Sequence, residues 1–163
     1  MTILIASPED KDALVHLIAQ FRVTLAGLRG MARAMDLDAA RQELANYVSR
    51  NNPIFVAKSA DSTIVGYLVC RVDQAVVWAE SLFVSPECRR RKIGSALYVK
   101  AEELAQELGG DSPYNWIHPN NDAIISFLQK RGYNVLNLIE LRRPRQGETE
   151  LQNIKVGRHE FDY

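Results

Sequence analysis

The chain is 163 residues long, 47% apolar and 25% charged, and its 20 Lys and Arg balance 20 Asp and Glu to a formal net charge of zero. That length suits one domain, 1–163, with a buried core, and the composition excludes disordered, fibrous and disulfide-framed classes. Zero net charge gives no general attraction to nucleic acid or acidic membranes, and no run approaches the ~20 apolar residues that span a bilayer. The start, MTILIASPEDKD, turns acidic early and lacks basic residues at its head, so no secretory signal is expected. Cys70 and Cys88 form no CxxC pair, and His16, His118 and His159 have no ligand spacing. A reducing, cytoplasmic setting without a metal is the expectation.

Thr2–Ala6 reads as an opening strand. Ser7-Pro8-Glu9-Asp10 carries the marks of a helix start, with serine as N-cap, proline at the first position and acids in the first turn. Leu14, Leu17, Ile18, Phe21 and Leu25 follow at helical spacing, until Gly27 and Gly30 weaken the helix. Asp36 caps a second helix through about Ser49, with Leu37, Ala40, Leu44 and Val48 on one face. Asn51-Asn52-Pro53 breaks the chain. Three strands follow, Ile54–Lys58, Ile64–Val72 and Ala75–Val84, joined by turns at Asp61-Ser62 and Asp73-Gln74 into an antiparallel meander. Residues 91–108 read as a helix stopped by Gly109-Gly110. Tyr114–His118 is a short predicted strand, Asn121 to Arg131 a helix ending at Gly132, and Tyr133–Arg142 a strand. A polar loop at Pro144–Glu148 leads to a last strand, Leu151–Phe161. The order predicts a mixed α/β (α+β) fold, with helices on both faces of a mostly antiparallel sheet.

Residues 77–97, VWAESLFVSPECRRRKIGSAL, concentrate the chemistry. Arg89, Arg90, Arg91 and Lys92 stand directly before a helix start, where unpaired N–H groups and a partial positive charge already favour an anion. Cations there oppose the helix dipole unless an anion joins them, so the segment reads as a pyrophosphate cradle rather than a solvated arginine run. Gly94 lets the backbone approach such a ligand closely. Just upstream, Leu82, Phe83 and Val84 offer main-chain groups on a strand edge to an amide-bearing chain. Period-two alternation puts Glu80 on one face with Trp78, Leu82 and Val84. Asp73 reads as a turn residue, and Cys88, with no histidine at a useful spacing, as incidental.

Together with NNDAIISFLQKRGY at 120–133, this arrangement resembles the GNAT superfamily of N-acetyltransferases over nearly the whole chain. The family pattern runs valine, one residue, proline, two residues, arginine, then a Gly-x-Gly or Gly-x-Ala turn into a helix. Val84, Pro86, Arg89, Ile93, Gly94, Ser95, Ala96 and Leu97 fit it, while Lys92 stands where the first glycine is usual. A shifted register, Arg91-x-x-Gly94-x-Ala96, satisfies the looser signature but keeps fewer positions. Lys92 is expected to give its N–H to the ligand from a helix-entry φ. The resemblance implies a GNAT-like central mixed, mostly antiparallel twisted sheet of about seven strands flanked by about four helices.

It also implies acetyl-CoA as cosubstrate, held by Leu82, Phe83, Val84, Arg89, Arg90, Arg91, Lys92, Ile93, Gly94, Ser95, Ala96, Asn121 and Phe127. The acceptor would be a primary amine of a small molecule or peptide, attacking directly in a ternary complex with Glu80 as base. Ile124 stands where alanine is usual. Leu128 stands where many relatives carry a tyrosine that protonates the departing thiolate. Tyr98, Tyr114 and Tyr133 are the substitutes the chain offers, with Tyr133 set beside Glu80 as catalytic and the other two left open; a thiol of ordinary acidity also leaves without a dedicated acid. In the family, acceptor choice is shaped by segments corresponding to 24–36 and 137–161. Arg22, Arg29 and Arg33 among Leu25, Leu28, Met31 and Met35 make a mixed basic and apolar lip, suited to an acceptor bearing a carboxylate and uninviting to polyamines. Two other readings stand beside this one. Leu128 motivates a non-catalytic acyl-CoA-binding regulatory module. The clusters 89–92 and 142–145 motivate a nucleic-acid or protein interaction domain, which zero net charge argues against. No nucleic acid or membrane partner is expected, and a homodimer could form through Leu151–Phe161.

Overall fold

The computed structural model describes residues 1–144, 146 and 152–163. The chain forms two compact units, Met1–Trp116 and Ile117–Tyr163.

The first unit runs β1 (Thr2–Ile5), α1 (Lys11–Gly27), α2 (Leu37–Ser49), β2 (Ile54–Lys58), β3 (Ile64–Asp73), β4 (Val76–Val84) and α3 (Ile93–Glu107). The strands pair in the order β1-β2-β3-β4, every neighbour antiparallel, so the predicted meander forms. Both faces of this sheet are covered. Val56, Tyr67, Val69 and Phe83 meet Leu14, Leu17 and Ile18 of α1 and Ala40 and Leu44 of α2. On the other face Ala57, Leu68, Cys70 and Val77 meet Ile93, Leu97, Ala101 and Ala105, a four-residue stripe along α3. Two-sided burial is why β2 and β3 read as continuous apolar runs rather than alternating ones. Each large side chain so buried contributes about 1.5–3 kcal/mol. Gly66 sits where α3 approaches the sheet. A Cβ there would lie 2.9 Å from the Phe83 carbonyl oxygen and 3.3 Å from Leu97 Cδ1, so only glycine fits.

Local chemistry sets the helix ends. Ser7 donates its N–H and its hydroxyl to Asp10 Oδ2, at 2.8 and 3.1 Å. Pro8–Asp10 forms a 3-10 turn, and α1 begins only after it. The buried Asp10 is ion-paired to Lys58 Nζ at the end of β2, 2.7 Å away. Burial alone would raise the Asp10 pKa, but the hydrogen bonds from Lys58 and Ser7 outweigh it and hold the carboxyl below its ordinary value. Asp36 caps α2 by accepting from the Ala39 N–H at 2.9 Å. Past the end of α3, Gly109 takes a left-handed φ of 82° and the Gly110 N–H returns to the Ala105 carbonyl.

The second unit contains α4 (Asp122–Gln129), β5 (Asn153–Val156) and β6 (His159–Asp162). The single strand expected at Leu151–Phe161 is a hairpin: Val156 pairs with His159 across a two-residue turn that begins at the left-handed Gly157. Residues 145 and 147–151, and with them most of the expected polar loop, lie outside the described residues. Residues 133–142 form no strand. Val135, Leu136, Leu138, Ile139 and Leu141 are all exposed, and apolar residues at both odd and even positions define no single inward face. The strand expected at 114–118 reduces to one parallel bridge between Tyr114 and Trp78. Among the described residues there are thus four strands and a two-stranded hairpin where about seven strands had been expected. The four expected α-helices are present. None of those helices is long and apolar enough to cross a membrane.

Candidate active site

The first unit brings Glu80 to the surface through an irregularity in β4. Val69 pairs with Ser81 but Cys70 pairs with Ala79, so Glu80 is the extra residue of a β-bulge. The insertion reverses the strand's phase. Val77 and Ala79 face α3 before it, and Leu82 and Val84 do so after it. Ser81, whose hydroxyl lies 2.9 Å from the Tyr67 hydroxyl, and Phe83 face α1 and α2 instead. Glu80 therefore shares its face with Trp78, Ser81 and Phe83, not with Leu82 and Val84 as strict alternation predicts. Counting by twos fails at a bulge because one residue is left without a partner.

On that side Glu80 lines an open cavity of about 390 Å3 between α1, α2 and β4, together with Arg22, Gln42, Glu43, Asn46, Tyr47 and Arg50. Its Oε2 accepts from Arg71 Nε at 3.1 Å. Arg71 also reaches Asp73 at 3.5 Å, and its guanidinium lies over the rings of Trp78 and Trp116, at 5.0 and 5.1 Å. Glu80 is thus held by a cation and not isolated among apolar side chains.

Arg22, expected at the lip, is committed elsewhere. Its Nε and Nη2 donate to the two oxygens of Glu43 at 2.7 and 2.5 Å, and the Tyr47 hydroxyl donates to the same carboxylate at 2.6 Å. The Glu43 hydrogen bond raises the Arg22 pKa further, and burial followed by the bond to Glu43 raises that of Tyr47, so Tyr47 stays a neutral phenol. The cation left facing the cavity without an acidic partner among the described residues is Arg50. Sequence reasoning missed it, although Gln42, Asn46 and Arg50 recur every four residues along one face of α2.

The segment read as a cradle lies at the other end of β4. The backbone N–H groups of Arg90 through Ser95 have no hydrogen-bond acceptor among the described residues. Arg90 and Lys92 both take left-handed conformations, φ 65° and 62°. The helix-entry φ expected for Lys92 is therefore corrected: it is the left-handed N-cap of α3, the conformation for which glycine is favoured. Such alternation turns successive N–H groups towards one concavity, which suits a pyrophosphate. Arg90, Arg91 and Lys92 are exposed and carry no ion pair with any described residue. Arg89 is turned away, its Nε donating to the Val84 carbonyl at 3.0 Å and its guanidinium lying over Phe83. A Cβ at Gly94 would meet only Val84 Cγ2, at 3.8 Å, so nothing in the protein itself demands glycine there. Beyond its contacts with Tyr114 at Val77 and Ala79, the outer edge of β4 has no partner strand among the described residues, and Leu82, Phe83 and Val84 lie on that open stretch.

The remaining expected residues belong to the second unit. Asn121 caps α4, accepting from the Ile124 N–H at 3.4 Å. Arg131 lies over the Phe127 ring, and the half-buried Tyr133 donates its N–H to the Leu128 carbonyl at 3.1 Å. Of the other tyrosines, Tyr98 is buried with its hydroxyl donated to Asn115 Oδ1 at 3.0 Å, and Tyr114 stacks on Trp78 with ring centroids 5.3 Å apart.

The sequence matches the acetyltransferase (GNAT) family over residues 23–133, and the chain belongs to that family. It is 26% identical over 100 residues to the spermidine N(1)-acetyltransferase of Thermoplasma acidophilum, covering 59% of this chain and 62% of that protein. It is 34% identical over 95 residues to the mycothiol acetyltransferase of Geodermatophilus obscurus, covering 56% of this chain and 30% of that protein. The match thus spans less than two thirds of the length of either relative. In fold it resembles the PaiA N-acetyltransferase of Thermoplasma acidophilum, solved in complex with coenzyme A, with a TM-score of 0.66 and 22% identity over 80% of this chain and 89% of that one.

Proposed function

We propose that the protein is an acetyl-CoA-dependent N-acetyltransferase that acetylates a primary amine of a small molecule or peptide by direct attack in a ternary complex. One observation carries the reading: the N–H groups from Arg90 to Ser95, which have no acceptor among the described residues and share their segment with the exposed cations Arg90, Arg91 and Lys92, follow directly on the strand that bears Glu80 and whose outer edge is open among those residues. A pyrophosphate satisfies those donors together with Arg90, Arg91 and Lys92. Arg89 stacks against β4, and Ile93 anchors the helix start in the core. The outward main-chain groups of Leu82 and Val84 pair with the pantetheine amides, while the Phe83 carbonyl is turned to Gly66 of β3, and Gly94, Ser95 and Ala96 leave room for the phosphates. Asn121 and Phe127 are proposed to complete cofactor binding.

Acetyl-CoA supplies an acyl group already activated as a thioester. The chain's own work is to deprotonate and aim the amine. Glu80 takes the ammonium proton, directly or through water, while Arg71 fixes the carboxylate at the cavity wall. Tyr133 is the proposed donor to the departing thiolate. Leu128, an alkyl side chain in the position of the usual acid, supports a second reading in which the chain binds acyl-CoA without turnover.

The test is thermal unfolding with CoA, followed by thiol release from acetyl-CoA over a panel of amines. CoA at a hundred times its Kd should stabilise the protein by about 2.7 kcal/mol. Glu80→Gln should lower turnover at neutral pH and recover part of it at alkaline pH, where more of the amine is neutral. Binding without thiol release from any amine would favour the second reading, and the absence of CoA stabilisation would overturn both.

A further inference from the structure

We infer that Trp78, Tyr114 and Trp116 form a ring-binding subsite across Arg71 from Glu80, so that the acceptor is a primary amine that also carries a planar aromatic ring. The amine half of this inference rests on the acetyl-transfer reading above; the ring half does not. Trp116 is 64% exposed and Tyr114 43% exposed, and both are packed on Trp78, with centroids 4.9 and 5.3 Å from its ring. A single exposed apolar residue is ordinary, but a cluster of large aromatics left open to water marks a surface that meets a ligand.

Its place in the fold says which ligand. Arg71 touches the indoles of Trp78 and Trp116 with its guanidinium and Glu80 with its Nε, so one planar cation bridges the aromatic step and the carboxylate. A ring packed on the exposed part of Trp116 and an ammonium at Glu80 therefore lie on the two sides of Arg71. Arg71 already supplies the cation between the indoles, which leaves their remaining surface to a neutral ring. A polyamine fits poorly, because its further ammonium groups would enter a cavity lined by Arg50, which has no acidic partner among the described residues.

The experiment compares 2-phenylethylamine and 4-phenylbutylamine with n-hexylamine and spermidine as acceptors by thiol release. In parallel, the indole N–H signals are followed by NMR as 2-phenylethylamine is added to the CoA-bound protein. The better of the two arylalkylamines should exceed n-hexylamine in kcat/KM by about fivefold, chiefly through KM, the size of one aromatic contact. Trp116→Ala should erase that advantage, and Trp116→Phe should retain most of it. Ring-dependent indole shifts without thiol release would support the subsite while overturning acetyl transfer. Thiol release with no preference for the ring, or with spermidine ahead, would overturn the subsite alone.

Discussion

Lys92 is the sharpest place to perturb the cradle, because its backbone conformation and its charge can be separated. At φ 62° a residue with a side chain forgoes about 1–2 kcal/mol relative to the right-handed region, whereas glycine does not. Glycine's greater freedom in the unfolded chain offsets about 0.5–1 kcal/mol of that gain. Lys92→Gly and Lys92→Ala remove the same charge, so their difference reports the backbone alone. The glycine variant should be more stable than the alanine variant by about 0.5–1 kcal/mol, or ~1–4 °C in Tm for a chain of this size. Calorimetric melting of both variants without ligand measures it. CoA affinity should fall by a similar small factor in both, since each loses one exposed cation. An alanine variant as stable as the glycine variant would refute the left-handed assignment and, with it, the inward turn of the N–H groups.

Gly66→Ala should cost about 1–3 kcal/mol, because the new methyl meets the Phe83 carbonyl of β4, which cannot swing aside; an unchanged urea midpoint would contradict the close packing of Phe83 and Leu97 around Gly66. Asp10→Asn should cost about 1–3 kcal/mol by leaving Lys58 without its acid and weakening the helix start. The Asp10 carboxyl is held below its ordinary pKa in the folded state. Its contribution is therefore full above the unfolded value of about 3.9 and is lost as pH falls through the lower folded value. Urea midpoints from pH 6 to pH 2 should converge for the two proteins at the acid end, and a constant gap would sink the assignment. Burial pushes the Cys70 thiol up to about 12, so a thiol reagent at pH 8 should label Cys88 alone in the native protein and both cysteines after unfolding.

The sequence was most legible where one segment specifies its own structure. Asp36 before an apolar stripe located α2, and the apolar stripe from Ile93 to Ala105 located α3 against the sheet. The meander and the start of α3 were likewise readable from strand and turn residues. What stayed hidden depends on partners distant in the chain. The bulge at Glu80 is a property of two strands, set by the pairings of Val69 and Cys70, and one strand's periodicity cannot reveal it. Arg22 reads as a free lip cation until α1 and α2 pack and bring Glu43 to it from 21 positions away. The run 133–142 has strand-forming residues, but a strand needs a partner to satisfy its backbone, and none pairs with it among the described residues. The aromatic step escaped for the same reason, since Trp78 and Trp116 meet only across the edge of β4.

The central claim is acetyl transfer to an amine at Glu80, fed from a cradle at the start of α3. Steady-state release of free CoA thiol from acetyl-CoA, read with and without each acceptor amine, tests it most directly. The account predicts release that depends on both the amine and the Glu80 carboxylate, with Glu80→Gln still binding CoA as tightly as the unaltered protein. Amine-dependent release that is undiminished in Glu80→Gln across the pH range would contradict it.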